Sequence, residues 1–153
     1  MAEEVDFKIA LREGATIYET NQKELDDVFY NVLAFGAWTK TFELTPTIKL
    51  TFMTISDKDK SKLLTMIRDW VGKEEVSPQM LEQFMGRINL AFYLNVIEID
   101  ASTINLKEKP VEDRITFLES MAEQTVSFYS MYAFAFNEIV RMALMSKVNL
   151  KNS

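Results

Sequence analysis

With no Cys and no His anywhere in the chain, acid–base chemistry near neutral pH would fall to carboxylates. Glu98 and Asp100 close one apolar stretch, and Asp113 and Glu119 stand near the start of the next. Two carboxylates flanking a substrate divide acid and base work when their surroundings separate their proton affinities. Nothing in the spacing says which two would face each other, and solvated helix-end charges account for all four. Asp57, Asp59, Glu74 and Glu75 form a second acidic group. Oxygen ligands suit a hard divalent cation, but the calcium-loop pattern, with its central Gly and final Glu, is absent. Helix capping explains Asp57 and Asp59, so no metal is expected.

The missing residue types exclude more. Without thiol or imidazole, Ser-His-Asp, Cys-His and His-metal sites are impossible. The four Gly are scattered at 14, 36, 72 and 86, and no phosphate-cradling motif occurs. The expectation is a protein that is not an enzyme and carries no cofactor. A net charge of −6 disfavours a phosphate-tracking surface. Lys58, Lys60 and Lys62 alternate with Asp57, Asp59 and Ser61, which reads as a solvated helix start, and Lys147 and Lys151 are too few for a nucleic-acid arm. The first six residues have neither a basic nor an apolar run, so no signal peptide is expected. The apolar stretches Ile88–Ile99 and Phe128–Leu144 are broken by Asn89, Asn95, Glu98, Asn137, Glu138 and Arg141, which argues against a membrane span.

The elements that would position any site follow from periodicity. Val5, Phe7, Ile9 and Leu11 alternate with more polar residues and predict a strand, with a turn at Glu13-Gly14 and a short return at Thr16–Tyr18. Leu25, Val28, Phe29, Val32 and Leu33 predict the buried face of a helix over 23–36, capped by Asn21 and ended near Gly36. Residues 41–45 and 48–55 alternate around Pro46-Thr47 as a hairpin. Ser56 opens a helix that Gly72 closes. Ser77 and Pro78 open another, expected to run to about 99 because its second half is apolar almost all round. Residues 100–109 read as a loop. From Pro110, a heptad-like seam through Ile115, Leu118, Tyr129, Tyr132, Phe136 and Ile139 predicts one long helix, or two broken around 120–127. The expected fold is α+β: a small N-terminal antiparallel β part and a predominantly helical C-terminal half. It is read as one domain over 1–153, with 1–55 mixed β plus one helix, 56–146 helical and 147–153 a polar tail.

The run Phe128 to Phe136 holds three Phe and two Tyr in nine residues. On a helix they spread around most of the circumference, more than one neighbouring layer covers. Tyr129, Tyr132, Phe134 and Phe136 are therefore expected to be buried partly by another chain or another copy. The competing reading is an internal core helix, flanked by Phe92 and Leu94 on one side and by Phe42 and Phe52 of the hairpin on another.

The stretch from Phe35 to Leu64 reads helix end, Gly36-Ala37-Trp38-Thr39-Lys40, then Thr41-Phe42-Glu43-Leu44, a turn, Ile48 to Ser56, and a charged helix start. It resembles small proteins of the tailed-bacteriophage tail and baseplate assembly group, in which such a strand pair leads into a helical C-terminal half. The resemblance implies a virion component or assembly chaperone, found in the virion or the host cytoplasm. It also implies phage structural subunits as partners, self-association as a further possibility, and no catalytic residues. The alternative is an intracellular regulator that holds a partner helix in an apolar groove.

Overall fold

A computed structural model describes residues 7–10, 16–72 and 77–152. Val5, Leu11, the Glu13-Gly14 turn, Glu74 and Glu75 lie outside the described residues. The fold is α+β, and the chain divides into two compact units: residues 1–38 with 134–153, and residues 39–133.

The first unit begins with a hairpin of β1 (Phe7–Ala10) and β2 (Thr16–Thr20), paired antiparallel with Ile9 opposite Tyr18. The helix α1 (Gln22–Phe35) follows. Its start is locally encoded: Asn21 Oδ1 accepts the Glu24 amide at 3.0 Å, and the Glu24 carboxylate accepts the Thr20 hydroxyl at 2.6 Å. Its end is also local. Gly36 adopts φ 78°, a left-handed conformation that suits glycine, and its N–H reaches the Val32 carbonyl at 3.0 Å. Trp38 lies buried after this turn, its indole N–H donating to Asp27 at 3.1 Å. The Trp38 ring stacks on Phe136, with centroids 5.3 Å apart. Phe136 belongs to the C-terminal helix α5 (Glu123–Asn152), whose residues from Phe134 onward fall in this unit.

The second unit is built on a four-stranded antiparallel sheet in the order β3 (Thr39–Thr45), β4 (Ile48–Met53), β5 (Leu94–Ile99), β6 (Ser102–Asn105). Pro46-Thr47 makes the β3–β4 turn as expected, with a register shift between Glu43 and Thr45 that accommodates it. Phe42, Leu50 and Phe52 are buried, whereas Thr41 and Thr51 pair through their hydroxyls at 2.8 Å on the other face. Between β4 and β5 run α2 (Asp57–Val71) and α3 (Pro78–Tyr93), capped by Ser56 and Ser77 hydroxyls. After β6 come a short 3-10 turn (Leu106–Glu108) and α4 (Val111–Glu119).

Four expectations are corrected here. The helix expected over 77–99 ends at Tyr93, and Leu94–Ile99 is a strand. An apolar run that fits a buried helix equally fits a buried strand, and pairing Leu50 with Ile97 satisfies the edge of β4. The expected loop at 100–109 holds β6 and the 3-10 turn, with Leu106 buried and Asp100 at φ 53° in the β5–β6 turn. Residues 56–146 are therefore not helical throughout, and the supposed tail continues α5 as far as Asn152. The final segment takes its two-helix form, breaking between Glu119 and Glu123.

Candidate interaction surface

In the second unit a series of rings runs outward from the sheet. Buried Phe52 meets Phe42 edge-on at 5.8 Å, Phe42 meets Tyr132 at 5.4 Å, and Tyr132 meets Phe128 edge-on at 5.5 Å. Tyr132 is half-buried and Phe128 is exposed. The hairpin thus covers one side of Tyr132 through Phe42.

Of the four residues expected at an interface, two turn inward. Phe136 is fully buried against Trp38, and Tyr129 is buried, which pushes its phenol pKa up. Neither offers surface to a partner in this conformation. Phe134 does, at 44% exposure, and Tyr132 does in part. The reason is rotational: a helix turning 100° per residue cannot present Phe134 and Phe136 on one face.

A more exposed apolar group lies at the end of α1 in the first unit. Tyr30, Leu33 and Phe35 are 61%, 67% and 70% exposed, and the Tyr30 and Phe35 rings meet edge-on at 5.9 Å. Periodicity assigns Leu33 to the buried face, but among the described side chains of α1 only Leu25 and Val28 are buried. The missed signal was an excess of apolar positions, since Leu25, Val28, Phe29, Tyr30, Val32, Leu33 and Phe35 exceed one helical stripe. Beside this tip lies an open groove of about 640 Å³ walled by Tyr18, Glu19, Glu24, Asp26, Asp27 and Tyr30.

The carboxylates considered for chemistry sit on separate elements. Glu98 lies on β5, opposite Lys49 and Thr103, and Asp100 lies in the following turn. Asp113 and Glu119 are exposed in the first turn and at the last residue of α4. Asp59 belongs to the capped start of α2. Among the described residues, no group of three carboxylates is placed to hold a metal ion. A cavity of about 370 Å³ is lined by Gln79, Gly86 and Arg87 of α3 and by Glu123, Ser127 and Ser130 of α5. The Ser130 hydroxyl there is buried without a hydrogen-bond partner among the described residues. No described helix is long and apolar enough to cross a membrane.

Comparison with known proteins finds no matching family model, no matching curated protein and no matching solved structure.

Proposed function

We propose that this chain is a non-enzymatic protein-binding protein, a tailed-phage virion component or assembly factor of the tail, baseplate or connector region. The observation that carries the binding role is the exposed group Tyr30, Leu33 and Phe35. Single exposed apolar side chains are ordinary, but three within six residues, two of them in ring contact, have the composition of an interface centre. The phage assignment rests on the stretch from Phe35 to Leu64. That stretch folds as the end of α1, β3, β4 and the start of α2.

The test is Phe35→Ser together with Leu33→Ser, in the phage whose structural gene block contains this gene. Particle assembly should fail while the purified protein keeps its circular dichroism and unfolding midpoint. Normal particle yield would sink the role of the tip, and a gene lying outside any block of phage structural genes would sink the assignment. Mass spectrometry of purified particles separates a virion component from an assembly factor that leaves. The alternative of a regulator that grips a partner helix draws on the groove beside Phe128 and Met131.

A further inference from the structure

We infer that the tip of α1 and the acidic groove beside it together receive a basic segment of a partner protein, with an aromatic or aliphatic side chain set among its lysines or arginines. This rests on the reading of the tip as a docking surface and adds the chemistry of what docks there.

Tyr30 joins the two features. It walls the groove and its ring meets Phe35 at the tip. Asp26, Tyr30 and Leu33 follow one another at helical spacings of four and three, so charge gives way to apolar surface along a single stripe of α1. The groove is walled by four carboxylates, Glu19, Glu24, Asp26 and Asp27, against Lys23, a formal −3. Neutral donors orient three of them: the Tyr18 and Thr20 hydroxyls on Glu24, the Gln22 amide on Asp26, and the Trp38 indole and Asn31 amide on Asp27. Such bonds set the orientation of these carboxylates.

Charge complementarity selects the occupant. A nucleic acid or an acidic peptide would meet like charge. A second copy would bring the same acidic face and its own net −6. A basic segment with an apolar anchor satisfies both halves: the anchor is buried on Tyr30, Leu33 and Phe35, and the cations set register and speed encounter along the carboxylates.

The probe is a synthetic amphipathic helix with lysines on one face and leucines with one tryptophan on the other, beside a twin in which glutamate replaces every lysine. Binding to the full chain is read by fluorescence anisotropy at low and at physiological salt. The lysine peptide should bind about tenfold or more tightly than its twin, and Glu19→Lys with Asp26→Lys should weaken it by about tenfold. Phe35→Ser with Leu33→Ser should weaken it too, each variant keeping its unfolding midpoint. If the tip variant loses binding but charge reversal changes nothing, the docking surface stands and the basic partner does not. If charge reversal alone matters, or neither peptide binds, the inference falls. Self-association abolished by the tip variant would assign the surface to a second copy and overturn it as well.

Discussion

The Arg114 guanidinium, on α4 and buried, donates to the Ala91 carbonyl in the last turn of α3 at 3.2 Å. It also reaches the Lys109 carbonyl at 2.8 Å and the Lys107 carbonyl at 3.2 Å. The Lys107 ammonium donates to the Phe92 carbonyl beside it. Two cations from later in the chain thus occupy the carbonyl end of α3, where the helix dipole is negative and the backbone acceptors lack intrahelical donors. They stand where α3 passes directly into β5, and so stabilise the helix-to-strand junction.

Arg114→Met should lower stability by about 2–4 kcal/mol, because it leaves three carbonyls without this donor in a poorly hydrated place. Arg114→Lys should recover only part, since a single ammonium cannot reproduce the planar fork. Urea midpoints of the two variants and the parent measure both effects. A parent-like midpoint for Arg114→Met would show that the junction stands without this side chain.

Lys107 carries a pKa below the ordinary lysine value, first because burial penalises its charge and then because Arg114 is near, with Asp59 acting the other way. The unfolded chain therefore binds this proton more tightly than the folded one. The penalty is fully present below the folded pKa, and stability recovers as pH rises from there towards the unfolded value. In an NMR titration of methylated lysines, Lys107 should titrate below the ordinary range, and Arg114→Met should move its midpoint upward. A Lys107 midpoint at the ordinary value contradicts this account.

Phe136→Ala and Phe134→Ala separate core from surface two residues apart. Removing the buried ring stacked on Trp38 should cost about 3–5 kcal/mol, whereas removing the exposed one should cost less than about 1 kcal/mol. Thermal unfolding of both variants gives the comparison, and equal losses would contradict the assignment of Phe134 to the surface.

Gly86 sits inside α3, where among the described residues a Cβ would meet only the Ser130 hydroxyl, at an ordinary 3.5 Å. Gly86→Ala should therefore stabilise the protein by roughly 0.5–1 kcal/mol through the lower backbone entropy of its unfolded state. Calorimetry shows the gain as a higher Tm. A lower Tm would mean that the contact with Ser130 is tighter than its distance suggests.

Sequence by itself determined what short-range chemistry controls. Asn21 and Ser77 start helices, Gly36 ends one, and Pro46-Thr47 turns a hairpin, because each acts on backbone groups within a few residues. The composition likewise ruled out thiolate and imidazole chemistry without any structure. Tertiary structure decided what periodicity leaves ambiguous. Leu94–Ile99 is apolar enough for either helix or strand, and pairing with β4 selects the strand. The Phe128–Phe136 run has rings on every side of its helix, and contacts distant in sequence choose among them: Trp38 takes Phe136, Phe42 takes one side of Tyr132, and Phe134 stays exposed. The same holds for α1, where an excess of apolar positions was legible but not which of them face water. Burial is settled by neighbours far along the chain, and a local pattern counts apolar residues without naming the surface that covers them.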